Sequence, residues 1–60
     1  MDEGQAKLNN ANKVLAEAKR EHSVSKFRIA AQLYFEVGYI IKSEQCYAAA
    51  DELEQEAVRK

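Results

Sequence analysis

Side chains that could do chemistry are scarce in this 60-residue chain, which holds one histidine, His22, and one cysteine, Cys46. A nucleophilic site needs a base within hydrogen-bond reach and a third group to orient it. His22 and Cys46 fall on different predicted helices, with no such third partner. A protein-only zinc site needs about four ligands, which a lone Cys and a lone His do not supply. Cys46 beside Tyr47 reads most simply as a small buried residue. Glu52, Glu54 and Glu56 form an acidic end, but nothing pairs them as acid and base, and a solvated face is the simpler reading. His22 could serve as a pH switch or ligand; the simpler reading is a helix-terminal residue that favours the negative end of the dipole. There is no Gly-rich phosphate loop. These observations point away from catalysis, and no cofactor or metal is expected.

Sixty residues allow one domain, spanning 1–60, with one small core. A chain this short buries only about 60% of the surface its unfolded form exposes. The usual remedies are disulfides, a structural metal or association with another chain, and with a single Cys only association remains. Nine basic and ten acidic residues leave a net charge of −1, which gives no general reason to expect nucleic acid as partner. Lys19, Arg20, Lys26 and Arg28 cluster near one predicted turn and would be the residues of a nucleic-acid binder. Residues 1–30 hold six basic and four acidic residues, and residues 31–60 hold three and six. That asymmetry fits two solvated faces, or an association steered by opposite ends. With no apolar run near the roughly 20 residues of a membrane span and no charged-then-apolar leader, a soluble, cytoplasmic protein is expected.

Three helical patterns must position whatever this chain presents. Asp2 has the character of an N-cap, with Gln5 three residues on. From there Leu8, Ala11, Leu15, Ala18 and His22 recur at alternating steps of three and four, with Val14 widening the stripe. The spacing predicts a first helix over about 3–21, with Lys13 and Glu17 as its i,i+4 ion pair and Asn9, Asn10 and Asn12 weakening its middle. Either Ser23 or Ser25 could cap the next helix, predicted over about 24–37. There Phe27, Ala30, Ala31 and Tyr34 share one face, Leu33 and Val37 flank it, and Phe35 points away from Phe27. Gly38 ends that helix in the left-handed conformation, and so short a connection makes the following helix antiparallel. The third helix is predicted over about 40–59, with Ile40, Ser43, Tyr47, Ala50, Leu53 and Ala57 as its apolar stripe and Arg59 and Lys60 complementing its dipole. Ala31, Ser43 and Ala50 would let two backbones approach, with Phe27, Tyr34 and Tyr47 filling the space between. The fold class is all-α.

The second and third helices carry a known pattern. Phe27 stands in the first aromatic position, Ala30-Ala31 in the Leu-Gly position and Tyr34 in that of the Tyr. Gly38-Tyr39 forms the turn, Ser43 is the small residue, Tyr47 the second aromatic and Ala50 the final Ala. Residues 24–57 span 34 positions, the length of one unit. This stretch resembles a single tetratricopeptide repeat, similar to those of soluble NSF attachment proteins. It departs from the pattern where Ala30 replaces Leu, Ser43 replaces Ala, and Gln55 stands near the terminal Pro. The microtubule-interacting-and-trafficking domain shares the Gly-Tyr turn but fits less well, because here the extra helix precedes the hairpin.

The resemblance implies a three-helix mini-solenoid in which residues 3–21 stand in for the second helix of a missing neighbour. It also implies a non-catalytic protein–protein interaction module. The family lines its groove with the first helix of each hairpin, which places Ser25, Arg28, Gln32, Phe35 and Glu36 against a partner helix or peptide. Arg28 is compatible with the family's grip on a terminal carboxylate, but Gln32 stands where Asn is usual. The alternative expectation is a structural homo-oligomer whose apolar stripe is its self-interface, since a single repeat buries its face poorly on its own.

Overall fold

A computed structural model of the chain describes residues 3–59. It is all-helical: α1 spans Glu3–Glu21, α2 Val24–Glu36 and α3 Ile40–Arg59. The expected Asp2 cap and the dipole role of Lys60 lie outside the described residues, as does the side chain of Arg59. The second helix ends one residue before the predicted Val37, which instead forms its C-cap.

Two tight turns set the order of the helices, and both carry a backbone bond from an N–H to the carbonyl five residues before it. At the second, Tyr39 N–H donates to Tyr34 O at 2.8 Å and Gly38 N–H to Phe35 O at 3.0 Å, the paired bonds of a Schellman motif. Gly38 supplies the positive φ of 90° that this motif requires. At the first turn, Ser23 N–H donates to Ala18 O at 3.1 Å. Here the left-handed position is taken by His22, at φ 53°, where a β-carbon costs roughly 1–2 kcal/mol. The helical spacing placed His22 at the end of the α1 apolar stripe. The structure instead leaves it exposed and turns the chain at it. Ser23 closes α1 and also opens α2, its hydroxyl accepting from Lys26 N–H at 3.2 Å; of the two serines, it is the cap.

The middle helix, α2, packs against both α1 and α3. Its Ala30, Ala31 and Tyr34 join Ala11 of α1 and Cys46 of α3 in one buried cluster. Phe27 joins Ala18 and Ala50 in a second. The alanines of α1 are why it can lie close: both Ala11 and Ala18 are fully buried. The Cα atoms span 47 × 19 × 11 Å. Stacking one helix on another takes roughly 13 Å in the thinnest direction, from the interaxial distance and two helix radii. The three helices therefore lie side by side as a puckered layer.

The seam of α3 differs from the stripe predicted for it. Ser43 and Ala50 are buried as expected, but Tyr47 is 46% exposed and Ile40 and Ala57 are also exposed. Cys46 takes the central place, at 3% exposure. A stripe of Ser43, Cys46, Ala50 and Leu53 has the same three-and-four periodicity as the predicted one, rotated by part of a turn. The rotation follows from size. Small residues at 43, 46 and 50 let α3 sit close to α2, whose own Tyr34 already fills the gap, and a second ring at 47 would be one too many.

Candidate functional site

Seen from α2, the molecule has a closed side and an open side. On the closed side α1 and α3 lean over Phe27 and Tyr34, and Tyr34 has no exposed surface. Its hydroxyl donates to the side-chain oxygen of Asn12, its ring lies 6.3 Å from that of Tyr39, and Lys42 Nζ stands 5.6 Å from its centre, a cation–π distance. Burial, and then the neighbouring Cys46, push the Tyr34 phenol above its ordinary value. Burial likewise raises the Cys46 thiol, against the opposing charges of Lys42 and Lys19, which suppresses its thiolate and its reactivity. Asn12, read as a weak point of α1, is thus the polar partner that lets a tyrosine be buried.

A cleft of about 110 Å³ lies on this side, lined by Leu15, Lys19, Phe27, Lys42, Cys46 and Ala49. Ligand sites typically enclose several hundred Å³, so this hollow is a packing gap at the seam. Among the described residues, no group of three or more His, Cys, Asp and Glu could hold a metal ion. None of the described helices is long and apolar enough to cross a membrane.

The open side carries all five residues that the tetratricopeptide resemblance implies for partner binding. Ser25, Arg28, Gln32, Phe35 and Glu36 are exposed together along α2, and Phe35 is 60% exposed. Two of the five already have in-chain partners that mark the edges of the face. Arg28 Nη2 bonds Glu54 Oε1 of α3 at 2.8 Å, and Lys7 of α1 stands 3.7 Å from Glu36. Along the helix, Gln32 and Phe35 lie between these two charged residues, Gln32 at the middle of the face and the Phe35 ring on its flank, with charged groups at the rim.

The structure adds apolar residues that the sequence reading left out of this face. Ile29 is exposed on the same helix. Ile40, Tyr47 and Glu54 are spaced seven apart on α3, which puts them on one stripe, and the Arg28–Glu54 bond fixes that stripe beside the open side of α2. Ile40 and Tyr47, expected in the seam, are therefore neighbours of the candidate face. The signal that could have found them is the heptad step from Glu54, but it becomes legible only once Arg28 is known to reach that glutamate.

Electrostatics at the other edge of α2 also differ from expectation. Glu17 was assigned to Lys13, and Glu21 was given no ionic partner. In the structure Lys26 reaches across from α2 to both, at 3.1 Å from Glu17 and 3.0 Å from Glu21. The hydrogen bond from Lys26, then its charge, holds the Glu17 carboxyl below its ordinary value. The bonds to Glu21 and then Glu17 raise the Lys26 ammonium. With Arg20 at 3.8 Å from Glu21 and Arg28 on Glu54, three cations of the Lys19–Arg28 cluster already face a carboxylate, so the cluster does not form a free basic patch.

No protein-family model matches the chain, and neither a curated protein nor a solved structure does.

Proposed function

We propose that the chain is a small non-catalytic interaction module that receives a partner helix or peptide on the open face of α2, with Phe35 as the anchor and Ser25, Arg28, Gln32 and Glu36 beside it. The observation that carries this reading is the exposure of Phe35 at 60%, between two ion pairs, on a helix whose opposite face is closed. A large exposed aromatic on a face with a charged rim is the kind of residue that dominates binding. An amphipathic helix laid along α2 would meet Ile29 on one flank of the face and Phe35 on the other, the latter extended by Ile40 and Tyr47. The tetratricopeptide-like pattern supports the same face, because α2 corresponds to the groove-lining helix of such a hairpin, with α1 in the position of a preceding repeat's second helix. The arrangement is then a mini-solenoid of one unit and a half.

The test is selection of helical peptides from a random library against the full chain, followed by titration. Binders should lose about tenfold or more in affinity on Phe35→Asp and should shift the amide resonances of Val24–Glu36. Peptides that bind the variant equally well, or that move only residues 45–58, would remove this reading.

A further inference from the structure

The open face of α2 is complementary to itself. Gln32 sits at its middle, Arg28 four residues before and Glu36 four residues after, Ile29 three before and Phe35 three after. All five are exposed. Two antiparallel copies of this helix, related by a twofold axis at Gln32, place each Arg28 at the level of the other copy's Glu36. They place each Phe35 at the level of the other copy's Ile29. At an interaxial distance of 8–10 Å these long side chains reach across. Opposite charges therefore meet in one register, with Phe35 and Ile29 on the flanks beside them, and such self-matching is the condition an isologous interface must meet.

We infer that the partner helix of this face is α2 of a second copy, in an antiparallel twofold dimer centred on Gln32. This rests on the reading of the open face as a binding face and names its occupant. Two further observations favour a second copy. The chain is one layer of helices, 11 Å thick between Cα extremes, whereas stable domains are built from at least two packed layers; a second copy supplies the missing layer. The in-chain partners also leave capacity for it: Arg28 uses one nitrogen on Glu54 out of five donor hydrogens. The Lys7–Glu36 pair is long at 3.7 Å and exposed, which keeps the Glu36 carboxylate accessible.

The deciding experiment is sedimentation equilibrium of the full chain from micromolar to millimolar concentration. The wild type should dimerise and Phe35→Asp should not. Arg28→Glu and Glu36→Arg should each self-associate about tenfold or more weakly, because each brings like charges together twice per dimer. An equimolar mixture of the two variants should recover wild-type affinity, since every cross-chain pair is then opposite in sign. A second measurement does not depend on how the charge variants fold. Gln32→Cys, in a Cys46→Ala background, should oxidise to a disulfide-linked dimer, since the twofold axis brings those two positions together.

A wild type that stays monomeric throughout, or a mixture no tighter than either variant alone, would overturn the dimer. If library-selected peptides still require Phe35 in that case, the face stands and only its occupant is wrong. A dimer indifferent to Phe35→Asp would overturn the occupant assigned to this face; whether the face itself stands is then decided by the peptides.

Discussion

Phe27 and Phe35 are the same residue type on the same helix, and one is 7% exposed while the other is 60% exposed. Eight positions advance the chain a little over two turns, so the rings differ by about 80° around the axis. That rotation moves a ring from the floor between α1 and α3 to the open side. What separates them is their neighbours. Phe27 meets Ala18 and Ala50, small enough to admit a ring, whereas Phe35 lies beside charged pairs that leave its ring uncovered. Apolar character brought both to α2; complementary small residues on other helices buried only one.

The largest test of that contrast is truncation. Phe27→Ala or Tyr34→Ala should cost about 3–5 kcal/mol, enough to unfold a domain of this size. Phe35→Ala should stay within about 0.5 kcal/mol. Urea melts at a concentration where sedimentation shows the monomer would read this. Equal losses at Phe27 and Phe35 would mean that the open face is part of the core.

The two turns that aim both faces of α2 come next. His22→Gly should stabilise the chain by about 1 kcal/mol, because glycine adopts the left-handed conformation without the β-carbon clash. Gly38→Ala should destabilise it by a similar amount for the opposite reason. Neither should alter binding at the open face beyond its effect on the folded fraction, which thermal melts beside a peptide titration would show.

A smaller effect is expected from Tyr34→Phe, which removes the bond to Asn12 and keeps the ring. The loss should be about 0.5–1 kcal/mol, and a double-mutant cycle with Asn12→Ala should recover most of it as a coupling energy. The same variant should reduce the loss of stability at alkaline pH. The Tyr34 phenol is raised in the folded chain, so the unfolded chain ionises first and stability falls as pH rises past the ordinary tyrosine value of 10.0.

The smallest effect is at the edge facing α1. Glu17 is held below its ordinary value of 4.5, so its contribution is full above that value. It declines as the pH falls below 4.5 and on through the lowered folded value, because the unfolded chain takes up the proton first. Lys26 is raised above 10.5, so its contribution is full below that value and lost as the pH climbs past it. Lys26→Gln should flatten the acid limb of a pH-dependent urea midpoint and leave Phe35-dependent binding unchanged.

By itself the sequence determined the three helices, nearly to the residue, because the three-and-four spacing of apolar residues and the breaks at His22–Ser23 and Gly38 are local signals. It determined the buried face of α2 in full, and it marked Phe35 as surplus to that face, since both follow from the angular order of residues on one helix. The burial of Cys46 was legible as well, but the rotation of α3, which exposes Tyr47 and puts Cys46 at the centre of the seam, was decided only by tertiary structure, because two stripes of the same period differ only in how they fit Tyr34. The bond from Tyr34 to Asn12, the bridge from Lys26 to Glu17 and Glu21, and the pair of Arg28 with Glu54 belong to the same class. Each joins residues on different helices, and periodicity along one helix carries no information about which polar group across a seam will stand within hydrogen-bond reach of another.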